Sequence, residues 1–578
     1  MLQDDDKVTY FALTNSRGKQ IPFGIKRKDR ARHMYVIGKT GMGKSTLLEN
    51  MAIQDVRNGE GMAFIDPHGS TAERIMEYIP EHRVKDVVYF APFDMEHPVA
   101  FNVMEDVGYD KRHLVVSGLL SAFRKIWGPD SWSARMEYIL SNTLLALLEY
   151  PGSTLLDVNR MLVNKNFRKR VIENISDPIV KSFWAEEFAN YTDRYTQEAT
   201  PAIQNKIGQF TSNPLIRNIV GQPKSSFDLR KMMDEKKIII MNLSKGRVGE
   251  VNANLLGSML VTKIYLAAMS RADVPARTLS ELPSFYFYVD EFQSFANQSF
   301  ADILSEARKY KLNLIIAHQY IEQMEEEVRD AVFGNVGTTV AFRVGPFDAE
   351  VLETIFQPKF MQADLVNLGF AQIYLTLMID GVGSPPFSAT TMSPFDTPPE
   401  SFVEQTIENS RMQFGRSRKS VEEALAAWSE PDSMAPKKAA TAVSTPISKP
   451  STPQPVNTEP AQQRPIGSSE PRPAVAPASA TFVAKPQTVP VPVRPSAPRP
   501  RPPEKPPLGG ATSLKEALAM ATQSNGTPKQ SPPVQAPNHQ PSLKEALGKI
   551  VGEKSHASLP EQTLRDMLRV DVSGNETK

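Results

Sequence analysis

There is no cysteine among the 578 residues. That excludes disulfides, thiolate metal centres and cysteine nucleophiles, and it fits a reducing compartment. Long hydrophobic runs are lacking too. Stretches such as Ser284–Val289 and Leu312–Ala317 are strand-length and flanked by polar residues, far short of the ~20 residues a membrane-crossing helix needs. The opening residues, MLQDDDK, are acidic where a secretion signal would be basic and then apolar. These absences lead us to expect a cytoplasmic protein with no intrinsic membrane span, recruited to the inner face of a membrane by something else if it works there. Neither sign of charge dominates: 66 Lys and Arg stand against 65 Asp and Glu, for a net charge of +1. The total neither advertises nor excludes a nucleic-acid partner, because a neutral sum can hide a basic surface.

Proline is abundant instead. Of 47 prolines, 25 fall between residues 431 and 540, among Ala, Ser, Thr and Val. Such a stretch has few large apolar groups to bury and cannot offset its ordering entropy, which predicts a disordered linker. Residues 431–510 carry ten Lys and Arg against four Asp and Glu, a composition that suits a soluble linker or a tail that touches an acidic partner or nucleic acid. A short motif recurs: Ser420-Val-Glu-Glu-Ala-Leu425, Ser513-Leu-Lys-Glu-Ala-Leu518 and Ser542-Leu-Lys-Glu-Ala-Leu547, with a looser version at Thr563–Leu568. Each copy offers a Ser N-cap with Glu three residues on, the capping-box pattern. Leu514 and Leu518, like Leu543 and Leu547, share one helical face. A helix this short is marginal alone, so the pattern predicts docking on a partner.

Up to about residue 400 the sequence reads as globular. Apolar runs at Met34–Ile37, Ala63–Asp66, Val87–Phe90, Ile238–Leu243, Phe285–Asp290, Leu312–Ala317 and Thr338–Arg343 predict buried strands of an α/β parallel sheet. Between about Tyr109 and Met232 helical spacing replaces strand-like runs, as in Ser133–Glu149 and Asp177–Tyr191, which predicts an inserted all-α domain. The expected division is 1–108 and 233–400 for the two parts of the sheet domain, 109–232 for the insert and 401–430 for a helical extension. The linker at 431–540, with a helical motif near 513–520, and helical motifs with a tail at 541–578 complete it.

Gly38-Lys39-Thr40-Gly41-Met42-Gly43-Lys44-Ser45 matches the phosphate-binding loop G-x-x-x-x-G-K-[ST], with Thr46 opening the following helix. It sits between a strand-like HMYVI and a helix-like TLLENMAIQDV, the context this motif requires. Glycines let the backbone N–H groups curl around phosphate oxygens at a helix N-terminus. Lys44 is expected on the β- and γ-phosphates and Ser45 on Mg²⁺. An apolar strand ending in Asp290-Glu291 supplies a second metal carboxylate, Asp290, and a residue to orient and polarise the attacking water, Glu291. Gln319, at the end of another apparent strand, suits a γ-phosphate sensor; its neighbour His318 reads as structural. Asp66, ending the strand after the loop's helix, either reaches the site or caps a turn. The cofactors expected are ATP and Mg²⁺.

The ordered set Gly38–Ser45, Asp66-Pro-His-Gly69, Asp290-Glu291, Glu306-Ala-Arg308-Lys-Tyr310 and Ala317-His-Gln319 resembles the HerA/FtsK group of motor ATPases. Within it the chain looks most like the type IV secretion and conjugation ATPases, the TraD/TraG-type coupling proteins and their VirB-class relatives. The likeness spans roughly residues 8–395, insert included. It implies a RecA-like P-loop NTPase fold, a homo-hexameric ring with ATP between subunits, and DNA or a nucleoprotein as the moving partner. It also implies an arginine finger: Arg308 falls where coupling proteins carry one, with Arg343 as the alternative finger or sensor. Typical coupling proteins begin with membrane-spanning helices, which are not seen here, so a membrane-bound secretion or assembly partner, reached through the C-terminal leucine motifs, is expected. The competing readings are a HerA-like DNA end-processing translocase and an assembly ATPase for a channel or pilus that never touches DNA. A non-hydrolysing scaffold is disfavoured by the presence of Lys44, Ser45, Asp290 and Glu291 together.

Overall fold

A computed structural model describes residues 5–15, 18–296 and 299–429. The linker and the motif copies at Ser513, Ser542 and Thr563 lie outside the described residues. Eleven strands form one sheet. In chain order they are β1 (Val8–Thr14), β2 (Pro22–Lys26), β3 (Met34–Ile37), β4 (Gly61–Asp66), β5 (Val87–Phe90), β6 (Ile238–Asn242), β7 (Phe285–Val289), β8 (Leu312–His318), β9 (Thr338–Ala341) and β10 (Gln372–Thr376). After a two-stranded hairpin, β11 (Met378–Ile379) and β12 (Val382–Gly383), comes the last strand, β13 (Phe387–Thr391). The spatial order of the large sheet is β2-β1-β13-β10-β9-β3-β8-β7-β4-β6-β5.

The run from β9 to β5 is parallel throughout. These are the seven strands the apolar runs predict, and every residue of them but one is buried, as expected of strands covered on both faces. The flank β2-β1-β13-β10 is antiparallel and was not anticipated. The strand at Thr338 is shorter than expected and ends at Ala341. Phe342 N–H still bonds to Ile37, but the chain then turns so that the Arg343 carbonyl accepts from Lys39 N–H at 2.8 Å, which takes Arg343 off the strand.

Side chains alternate between two cores. Met34, Val36, Met62, Phe64, Tyr286 and Tyr288 pack with the helix Lys44–Arg57. Tyr35, Ile37, Ala63, Ile65, Phe287 and Val289 face the other side and share a core with the insert. On the first face a buried cluster ties the loop's helix to β7. Arg30 holds Asp55 through both guanidinium nitrogens at 2.6 and 2.7 Å, and Tyr288 Oη donates to the same carboxylate at 2.5 Å.

Every element from Tyr109 to Asp234 is helical. The helix Arg112–Trp127 packs on Glu250–Met269, a helix long and apolar enough by composition to cross a membrane. The strand-length runs noted above understate this stretch. Its faces are apolar all round because it is a central helix of the core, with 72% of its most apolar window buried.

The first motif copy is helical, within Arg418–Ser429, but Ser420 does not cap it. The helix starts two residues earlier, and Ser420 N–H points back to Ser417 Oγ at 3.4 Å. Val421 is buried there, Leu425 lies against Gly221 of the insert, and Trp428 Nε1 donates to Asp157 at 3.0 Å.

Candidate active site

Strands β3, β8 and β7 are neighbours, so the segments leaving their carboxyl ends converge: Gly38–Ser45, Gln319 and Asp290-Glu291. In an open α/β sheet this edge is where ligands bind. The loop turns through Gly41 at φ 76° and Gly43 at φ 115°, conformations a side chain would strain. At Gly38 the constraint is proximity, since a Cβ there would lie 2.5 Å from that of Phe342. Lys44 then opens a helix of 14 residues whose first N–H groups have no intrahelical partner and face the loop's hollow.

Lys44 is buried, and its Nζ donates to the carbonyls of Gly38 at 2.6 Å and Lys39 at 3.3 Å. Burial lowers the Lys44 ammonium, opposed by the charges of Glu291 and Asp290. Ser45 Oγ donates to Asp290 Oδ2 at 2.9 Å. Strand parity explains that contact. Asp290 follows Tyr286 and Tyr288 in the two-residue alternation, which puts its carboxylate on the face of the loop's helix. Burial, with Asp66 and Glu291 adding repulsion, pushes the Asp290 carboxyl up to about 6. A carboxylate and a hydroxyl so placed, beside an amine satisfied only by its own loop, form a donor set that fits a hard divalent ion and phosphate oxygens.

Glu291 has left the strand, at φ 48°. Its Oε1 accepts from Gln319 Nε2 and lies 3.8 Å from His68 Nε2, while Oε2 accepts from Gln293 Nε2 at 2.5 Å. Burial alone would raise this carboxyl. The nearby His68 ring, the hydrogen bonds from Gln319 and Gln293, and the charge of Lys44 outweigh burial and bring it down to about 2. The neighbouring Glu291 carboxylate raises His68, against burial. Gln319 is bound at both ends, since its Oε1 accepts from Thr40 Oγ1 of the loop at 2.9 Å. Thr40 of the loop, Gln319 and Glu291 therefore form one chain of hydrogen bonds.

The remaining candidates sit elsewhere. Asp66 is fully buried, with Oδ1 accepting from His68 N–H at 2.8 Å and Oδ2 from Ala72 N–H at 2.9 Å. Its side chain caps the turn into the helix Ser70–Glu77 and reaches the site through its charge on Asp290. His318 is buried against Tyr35 Oη at 3.2 Å, and burial lowers its ring to about 3. Arg343 lies beside the loop through its backbone. Arg308 is exposed, in the turn Ala307–Tyr310 that leads into β8. It is thus at the amino edge of the sheet, seven residues of strand or ~23 Å from Gln319, and out of reach of its own loop. His68 and Gln293 were not singled out in the sequence. Gln293's only signal was its place two residues after Glu291.

The family described as the type IV secretion-system coupling protein DNA-binding domain matches residues 18–352. Among solved structures, the chain is similar to the plasmid coupling protein TrwB in complex with ADP and Mg²⁺. The identity is 14%, the TM-score 0.49, and the match covers 69% of this chain and 98% of that one. TrwB with a non-hydrolysable ATP analogue matches at 16% identity and TM-score 0.48, over 68% and 91% of the two chains. VirB4 of Thermoanaerobacter pseudethanolicus matches at 13% and 0.46, over 69% and 99%. No curated protein matches the chain.

Proposed function

The chain belongs to the type IV secretion-system coupling protein family, and from that membership we propose that it hydrolyses ATP to drive DNA through a ring of its own copies. The observation that carries the reading is the convergence of Ser45 on Asp290, with Lys44 and Glu291 alongside, at the ends of three adjacent strands. Residues 1–108 and 233–400 are the motor, and the helices of 109–232 are a domain mounted on it. Ser45 and Asp290 would hold Mg²⁺ and the backbone of Gly38–Thr46 would hold the phosphates of ATP. The bound metal supplies charge neutralisation as the terminal phosphoryl group transfers to water.

Lys44 must exchange the Gly38 and Lys39 carbonyls for phosphate oxygens, which offer its ammonium a stronger, charge-assisted bond. Glu291 is ionised at neutral pH and, with its carboxyl held near 2, is a weak base. Its work is to orient water rather than to take a proton early. Both its oxygens are engaged in this arrangement, so it is not yet turned to water. Gln319 couples the two conditions: drawn to a terminal phosphate, its amide would release Oε1 of Glu291. Arg308 would then serve the site of the adjacent subunit, because it cannot reach its own.

The test is ATP turnover with and without single- and double-stranded DNA. Stimulation by DNA is expected. Turnover that ignores both polymers would replace this reading by an assembly ATPase, and no turnover at all would remove the motor.

A further inference from the structure

We propose that Lys125, on the helical insert, is a positioning residue through which the insert sets the orientation of Glu291. Lys125 lies near the end of the helix Arg112–Trp127. Its Nζ donates to the carbonyl of Gln293 at 2.6 Å and to that of Ala296, so a side chain from the insert grips the loop that follows Glu291. Gln293 hands the grip on, since its Nε2 donates to Glu291 Oε2 at 2.5 Å. Its Oε1 is buried without a hydrogen-bond partner, which leaves the amide anchored at one end only. Where Gln293 points is therefore decided by where the loop backbone is held.

The loop makes one tight turn of its own, Phe292–Ser294, and buries the rings of Phe292 and Phe295 in the motor's core, so what Lys125 sets is its polar side. It starts from the left-handed φ of 48° at Glu291, a conformation that strains a non-glycine residue. Beside the packing of Phe292 on Phe300 and of Phe295 on Gly257, the motor's side-chain hydrogen bonds to the segment 292–296 include Lys245 Nζ on Ser294 Oγ and Ser258 Oγ on the Phe295 carbonyl, both at 3.2 Å. Lys125 also lines a cavity of about 1010 Å³ between the insert and the segment after β8, whose wall carries Glu325, Glu326, Glu327 and Asp330. Glu326 and Asp330 already pair with Arg329, so a small shift of the insert toward that wall would offer the ammonium Glu325 in place of two neutral carbonyls, and the insert's hold on the polar side of the loop would be lost. Burial already lowers the ammonium to about 8, with Glu325 opposing, which adds to the pull of such an exchange. An element with two competing sets of partners is what a coupling between sites requires.

This inference rests on reading Glu291 as the water-orienting residue, and the test separates the two. ATP turnover per nucleotide-binding site, counted by titration with fluorescent ADP, is measured for Lys125→Met, Gln293→Leu, the double variant and Glu291→Gln. Lys125→Met should lower kcat about ten-fold, the worth of one hydrogen bond to a charged group, with KM for ATP within two-fold of wild type. The double variant should lose no more than the worse single one, since the two act in series. Lys125→Gln keeps an N–H donor, should retain part of the rate, and replaces methionine if that variant does not fold. Unchanged kcat in both Lys125 variants, a KM that rises in step, or losses that multiply would overturn the inference. Full activity in Glu291→Gln would instead overturn the reading it rests on.

Discussion

The two ends of the parallel strands are built on opposite plans. At the amino ends, buried guanidinium groups stitch strand to strand. Arg83 donates to the carbonyls of Glu60 at 2.8 Å and Lys236 at 2.5 Å, just ahead of β4 and β6. Arg271, with no exposed surface, reaches Asp234 at 3.0 Å and the carbonyls of Pro283 and Tyr310 at 3.1 and 2.9 Å, ahead of β7 and β8. At the carboxyl ends the polar groups turn instead on one another, in Ser45–Asp290 and Thr40–Gln319–Glu291, contacts a nucleotide can replace. One edge spends its hydrogen-bonding capacity on holding the sheet together. The other keeps it exchangeable, and this division lets one sheet be both rigid and chemically responsive.

Four substitutions test the division, from the largest expected effect down. Arg308 is the residue that could break it, being an amino-edge group with an expected role in a neighbour's chemistry. Arg308→Ala should cut turnover at least ~1000-fold, the scale of a trans finger, while ATP binding stays normal. Mixing it with Glu291→Gln subunits should restore part of the rate at interfaces that keep both groups, and wild-type activity of Arg308→Ala alone would move the finger to Arg343 or remove it. Glu291→Gln should bind ATP but hydrolyse it at least ~100-fold more slowly, whereas Lys44→Ala should weaken nucleotide binding itself; equilibrium binding beside turnover separates the two. Arg271→Met should do the reverse of both. Removing one partner of a buried pair and leaving carbonyls unmet costs about 3 kcal/mol, read as a lower melting temperature, with turnover per folded molecule unchanged. Truncation at residue 430 touches neither end and should leave hydrolysis within about two-fold, because no candidate catalytic group lies beyond. Recovery with the membrane fraction or partner should fall sharply, and Leu514, Leu518, Leu543 and Leu547 changed to Asp should copy it, as expected of several weak anchors on one tether.

The legibility of the molecule follows the same line. The seven parallel strands stood out because each is a short run apolar on both faces. The antiparallel flank did not. β2 opens with Pro22 and contains Gly24, and β10 and β13 mix Gln, Thr and Ser with their apolar residues, so neither continuous runs nor clean alternation marked them. The helix Glu250–Met269 lacked the polar stripe that identifies a surface helix. In the site, Lys44, Ser45, Asp290 and Glu291 were readable from local motifs. Asp66 was not settled, because a carboxylate that caps a turn and one that binds a ligand look alike in one dimension. Lys125 was invisible for a plainer reason: it meets Gln293 across 168 residues of chain, and only the packing of the insert brings them together.

Around the phosphate loop the surface is unexpectedly greasy. Phe347 and Phe370 are 71% and 73% exposed, and Tyr320 is 39% exposed. Each neighbours a segment that touches the loop, through Arg343 on Lys39, Ala371 on Met42 and Gln319 on Thr40. Apolar rings left in water beside the loop would tie the proposed catalysis to mass action. If adjoining copies cover them, dilution strips the cover and the trans contribution in one step. The rate per chain should then climb with protein concentration and level off, so a dilute preparation would look inert while every side chain of its active site is in place.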